Sequence, residues 1–244
     1  MMHRIVDIGN TKIKMAWFEN NQLVKVTISE NEKEEIKRAI HSHQVDHTII
    51  SSVANEDLTK FVIAQTEHPI VLDQHTPLPI VNNYKTPETL GKDRLANAVG
   101  AYHLFNETNC LIIDAGTCLK FDVLNSSNEY IGGVISPGLN MRFEALHTFT
   151  DKLPLVKPDE IEPVSMGVDT LTSIHSGCYM GMNNEIESTI MHLEQRFENL
   201  KIIITGGDME VLQNMEFSQK NSIFADRWLT LRGLNEILDH NVKS

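Results

Sequence analysis

The chain has 244 residues, 41% hydrophobic and 22% charged, an ordinary globular composition with length for one large domain or two small ones. Its formal net charge of −12 repels nucleic acid and anionic membranes, so neither is expected as a partner, and an anionic substrate requires a locally positive pocket. Three cysteines (Cys110, Cys118, Cys178) without a C-x-x-C pair argue against a disulfide framework or a zinc site and fit a reducing compartment.

Asp7 interrupts the first apolar run, so no signal peptide is expected, and no stretch approaches the ~20 apolar residues of a membrane helix. The expected setting is soluble and cytoplasmic. Strands are expected over Ile5–Asp7, Ile13–Phe18 and Leu23–Ile28, with Asn20-Asn21 as the hairpin turn. Glu30–Ser42, with Ile36 and Ile40 four residues apart, reads as an amphipathic helix. His47–Ser52 reads as a strand, Asn55–Gln65 as a helix capped by Asn55, and Ile70–Leu72 as a short strand. Residues 75–91 hold three prolines and form a loop, and Lys92–Phe105 reads as a helix.

The pattern then restarts. Cys110–Asp114, Leu119–Val123 and Tyr130–Ile135 read as strands, and Leu139–Thr148 and Thr170–Phe197 as helices. Ile202–Ile204 and Ile223-Phe224 read as strands, and Leu229–Asp239 as a closing helix. The loop at 150–163, again with three prolines, is the expected mobile segment. Three strands followed by alternating helices and strands, twice over, point to an internal duplication.

Each half opens on the same signature. Arg4-Ile5-Val6 runs into Asp7-Ile8-Gly9-Asn10-Thr11, and Leu111-Ile112-Ile113 into Asp114-Ala115-Gly116-Thr117. The glycine lets the backbone turn tightly toward a phosphate, while successive N–H groups and the Thr hydroxyl donate to its oxygens. Asp7, at a strand end, can hold Mg²⁺ through water, and Lys12 or Lys14 can neutralise phosphate charge. One such stretch alone is equally a hairpin turn built from Asp and Asn. Two of them point to a duplicated fold closing over one nucleotide.

Three further stretches can carry chemistry. Gly91-Lys92-Asp93-Arg94 opens a helix, where an anion is favoured. There Arg94 offers a fork for a carboxylate and Asp93 a proton acceptor for a hydroxyl, although charged residues in a first helical turn are also ordinary. Gly132-Gly133-Val134-Ile135-Ser136-Pro137-Gly138 allows close backbone approach to a ligand or makes a sharp turn. Thr205-Gly206-Gly207-Asp208 can face an adenine or ribose, or serve as a loop. Cys118 reads as a buried, inert thiol. Lys120 either adds positive charge near the phosphates or points to solvent.

These five stretches, in this order over residues 7–207, resemble the D-x-G-N-T, G-x-D-R, D-x-G-T, G-G-x-I-x-P-G and T-G-G motifs of type III pantothenate kinase. That family phosphorylates pantothenate in the first step of coenzyme A biosynthesis. The resemblance implies an α/β, duplicated ribonuclease-H-like (actin-like ATPase) fold. Its two similar halves, residues 1–106 and 107–244, would be mixed sheets flanked by helices. It also implies roles. Asp7, Ile8, Gly9, Asn10, Thr11, Lys12, Ile13 and Lys14 would form the ATP phosphate loop, with Thr117 as a further ATP contact. Tyr84, Gly91, Lys92, Asp93, Arg94 and Thr170 would bind pantothenate, with Asp93 taking the proton of its primary hydroxyl. Asp114 would bind a monovalent cation, K⁺ or NH₄⁺, alongside Mg²⁺ near Asp7. The family's homodimer would be expected here, with Ile174, Met180, Met182 and Ile186 of the long helix as candidate interface or core residues. Two rival readings use the same turns: another small-molecule kinase of this superfamily, and an ATP-binding regulator without catalysis.

Overall fold

In the computed structural model the described residues are 1–9, 12–30, 32–53, 56–158, 164–220 and 222–243. Asn10, Thr11, the expected cap Asn55 and residues 159–163 of the second proline loop lie outside them. The chain runs β1 (Met2–Ile8), β2 (Lys12–Glu19), β3 (Gln22–Glu30), α1 (Lys33–Ile40), β4 (His47–Ser52), α2 (Glu56–Ala64), β5 (Ile70–Val71), β6 (Val81–Asn82) and α3 (Lys92–Leu104). It continues β7 (Cys110–Ala115), β8 (Cys118–Leu124), β9 (Glu129–Pro137), α4 (Leu139–Thr148), α5 (Thr170–Glu194), β10 (Lys201–Thr205), α6 (Met209–Gln213), α7 (Glu216–Lys220), β11 (Ile223–Ala225) and α8 (Leu229–Lys243).

Two compact units divide these elements. The first holds Met1–Asn106, Asn128–Tyr130 and Trp228–Ser244; the second holds Glu107–Ser127 and Ile131–Arg227.

The first unit is built on a mixed sheet in the order β3-β2-β1-β4-β5. β1 pairs antiparallel with β2 and parallel with β4, and β5 joins β4 in parallel. The central strand is covered on both faces, so His3 to Val6 are all buried, the polar His3 and Arg4 included, whereas edge strand β3 stays largely wet. β3 is longer than expected, because Glu30 still pairs with Lys12. The expected helix therefore starts only at Lys33, and Ile36 and Ile40 bury its one apolar stripe. α3 and α8 approach very closely. A Cβ on Gly233 would stand 1.7 Å from the Ala96 carbonyl oxygen, and one on Gly100 would stand 2.6 Å from that of Leu229. The C-terminal helix thus packs with a helix from the first half of the chain. The proline-containing loop holds the two-residue strand β6, which pairs in parallel with Glu129 and Tyr130.

The second sheet runs β6-β9-β8-β7-β10-β11, and its part from β9 to β11 repeats the first. β7 pairs antiparallel with β8 and parallel with β10, and β11 joins β10 in parallel. Matched strand for strand, that part has the order of the first sheet: a hairpin onto the central strand, then two parallel strands on its other side. Leu111, Ile113, Phe121 and Ile204 pack with Phe143 of α4 and with Ile174, Met182 and Ile186 of α5. Three of the four candidate interface residues on the long helix are therefore core.

Candidate active site

The topology places each Asp-x-Gly turn at the end of a central strand. In the first unit Asp7 is paired with Lys14, and Ile8 with Ile13, across the β1–β2 hairpin. The Gly9 N–H donates to the Lys12 carbonyl oxygen at 3.0 Å, closing the turn. Ile8 and Ile13 are wholly buried, so these two residues can offer a ligand only their backbone. Asp7 and Lys14 are half-buried and Lys12 is exposed.

Farther along the same unit, α3 begins at Lys92 with Gly91 as its N-cap and Asp93 in its first turn, where a carboxylate complements the helix dipole. Arg94 is 4% exposed. Its guanidinium carbon lies 5.6 Å from the centroid of the Tyr84 ring, within cation–π range. Tyr84 in turn sits 6.0 Å from Tyr130, and its N–H donates to Asn82 Oδ1 at 3.0 Å. Tyr84 and Arg94 are thus brought together. Lys92 faces a cavity of about 270 Å³ lined also by Asn82, Leu90 and Leu95.

In the second unit three of the sequence motifs converge on one turn. The Gly116 N–H donates to Cys118 O at 3.1 Å, the Gly138 N–H to Thr117 O at 3.1 Å, and the Asp208 N–H to Ala115 O at 3.0 Å. Gly138 and Gly206 are glycine for a reason. A Cβ on Gly138 would lie 2.1 Å from Gly116 O, and one on Gly206, whose φ is +99°, would lie 2.1 Å from Ala115 O. Gly133 is a strand-packing glycine, since its Cβ would lie 1.8 Å from Phe121 O. By contrast, a Cβ on Gly116 or Gly207 would meet nothing within 4 Å, so the surface over these two residues is open. Thr117 is exposed beside that space, and Cys118, expected buried, is half-buried. Thr170 is exposed at the start of α5, behind the N-cap Asp169 and its capping box with Thr172.

Lys120, which the sequence left undecided, does not point to solvent: its Nζ lies 2.7 Å from Asp114 Oδ2. Asp208 was read only as part of a turn. Burial, and next the neighbouring Asp114, push its carboxyl above the usual range. Spacing puts Asp114 and Lys120 on one short hairpin, but the register that opposes them is set by the strand pairing.

Two sheets of the same strand order, each with an Asp-x-Gly hairpin on its central strand, define an actin-like ATPase fold of the kind found in sugar kinases. Among solved structures, the chain is similar to a Thermus thermophilus ROK hexokinase (TM-score 0.54, 11% identity, covering 99% of this chain and 100% of that one). It is also similar to a Campylobacter jejuni protein described as a Baf family transcriptional activator (TM-score 0.63, 20% identity, 99% and 100%). The family model for type III pantothenate kinase matches residues 5–192. A type III pantothenate kinase from Bacteroides fragilis is 41% identical over 245 residues, covering 98% of each chain. The chain belongs to the type III pantothenate kinase family.

Proposed function

We propose that the protein transfers the γ-phosphoryl group of ATP to the primary hydroxyl of pantothenate, opening coenzyme A biosynthesis. The observation that carries this reading is the convergence of Asp114–Thr117, Gly138 and Gly206–Asp208 around a turn left open over Gly116 and Gly207, in a member of that family. Such a turn lets a ligand approach the backbone closely, which suits a polyphosphate.

Residues 7–14 form the phosphate loop, with Asn10 and Thr11 outside the described residues, and Thr117 contacts the nucleotide. Asp7, a half-buried carboxylate at the strand end, would hold Mg²⁺, and the ion would neutralise phosphate charge. Arg94, clamped against Tyr84, works with Gly91, Lys92 and Thr170 to hold pantothenate. Asp93 accepts the hydroxyl proton as the new oxygen–phosphorus bond forms. The bond from the γ-phosphorus to its bridging oxygen breaks, and ADP leaves. Most of the acceleration then comes from positioning and electrostatics.

The resemblance assigns a monovalent cation to Asp114. With the Lys120 ammonium 2.7 Å from that carboxylate, the residues present do not fit a separate resident cation there, and no step depends on one.

The three thiols are free, which supports a cytoplasmic site of action. Among the described residues no helix is long and apolar enough to cross a membrane. We further place the working form as a homodimer, supported by exposed Ile131, Val134 and Ile135 on β9 and Met191 on α5.

The test is mass spectrometry of the product from purified protein, ATP, Mg²⁺ and pantothenate. A gain of one phosphate on pantothenate is expected, and ATP binding without product would overturn the reading. Light scattering reads the oligomer.

A further inference from the structure

Asp114 and Lys120 are directly opposed across the antiparallel pair β7–β8. Opposed residues share one face with Cβ atoms ~4.5–5.5 Å apart, so the ladder itself sets this contact. Nζ lies 2.7 Å from Oδ2, and the two side chains are 16% and 12% exposed, a charge-assisted contact largely withdrawn from water. The other carboxylate oxygen is covered by Gly206, where a Cβ would stand 2.6 Å from Oδ1. Asp208 adds a second carboxyl beside the first. The residues around the Gly116–Thr117 turn therefore include two acids and one tethered ammonium. A lysine ammonium is an alkylated ammonium ion, with one charge and three N–H donors. A free cation entering at Asp114 would have to displace it or stand against a like charge.

We propose that Lys120 serves as a built-in monovalent cation: its ammonium takes the place at Asp114 that K⁺ or NH₄⁺ would fill, so turnover needs no added monovalent cation. The proposal rests on the kinase reading above. Lys120 acts here as a positioning residue, holding the Asp114 carboxylate neutralised and in place beneath the turn. Unlike a dissolved ion, it is neither diluted nor exchanged.

The test measures turnover of the full chain with ATP, Mg²⁺ and pantothenate in tetramethylammonium salt, with and without K⁺ at matched ionic strength, for the natural protein and Lys120→Ala. The natural protein is expected to run equally fast in both salts. Lys120→Ala is expected to be slow without K⁺ and to recover roughly ten- to a hundredfold on adding K⁺ or NH₄⁺, the factor a charge-assisted contact is worth. A second readout is the thermal midpoint: K⁺ is expected to raise it for Lys120→Ala by mass action and to leave the natural protein unshifted. A natural enzyme that requires K⁺ overturns the proposal while the kinase reading stands. No product in either salt means the kinase reading has failed, and a K⁺-induced midpoint shift in the natural protein would then overturn the cation proposal as well. If Lys120→Ala does not fold, Lys120→Met replaces it. Loss of activity in the folded variant without rescue by either cation also overturns the proposal.

Discussion

The carboxylate of Asp93 folds back over Gly91: a Cβ on Gly91 would stand 2.6 Å from Asp93 Oδ1. The φ of Gly91 is −57°, which any L residue adopts, so space alone calls for glycine here. The obstructed group is the far end of a side chain rather than backbone. Gly91→Ala is therefore expected to keep stability within about 1 kcal/mol while moving Asp93 off its position. Initial rates should fall by up to about 100-fold, the loss that follows a displacement near 1 Å. A thermal melt alongside the rates separates the two effects.

Asp93→Asn keeps the shape and removes the base. Turnover is expected to fall by ~10²–10⁴-fold, with ATP affinity by calorimetry unchanged. An Asn variant at full rate would strip Asp93 of its role.

Gly206→Ala combines two faults: a φ of +99° and a Cβ 2.1 Å from the Ala115 carbonyl oxygen. Neither is relieved by a side-chain rotation. We expect a stability loss of roughly 1–3 kcal/mol, read by urea denaturation, and weaker ATP binding because Ala115 and Asp114 would shift together.

Helix packing supplies a contrast between glycines. Gly233→Ala drives a methyl to 1.7 Å from Ala96 O and should cost about 1–3 kcal/mol or more by overpacking. Gly177, inside α5, would meet nothing within 4 Å. Its replacement by Ala should stabilise by roughly 0.4–1 kcal/mol, because the unfolded chain loses freedom. Chemical denaturation of both variants measures the difference, and an equal effect would contradict the packing account.

His103 Nδ1 lies 2.8 Å from Glu236 Oε2. That hydrogen bond, outweighing partial burial, raises the imidazole above its usual value. A raised folded pKa means stability that is fully present below the ordinary histidine range near 6.5 and fades as pH rises through the folded value. His103→Gln should therefore lower the thermal midpoint more at pH ~5.5 than at pH ~8.5. A gap that widened with pH would exclude this contribution.

The duplication, the two Asp-x-Gly hairpins and the strands that carry them were legible from apolar runs and glycine positions, because those patterns are local. α1 starts at Lys33 rather than at the expected Glu30. Nothing in Glu30 itself reveals that it still has Lys12 as a ladder partner. The interface candidates Ile174, Met182 and Ile186 were core for the same reason, since a helical stripe does not say what it faces. The candidate residues of each motif could be named from spacing. Their mutual contacts could not.

The amino-acid sequence by itself determined the family, the α/β repeat and the identity of the candidate residues, since each depends on side-chain types at short separations along the chain. Only the tertiary structure decided that Gly138 and Gly206 close on the turn at Gly116, that Arg94 is clamped by Tyr84, and that α8 packs against α3. It alone settled that Lys120 turns inward to Asp114. Those relationships join residues far apart in the chain, or choose between two faces of one strand. Strand register and close backbone packing set them, and no local pattern encodes either.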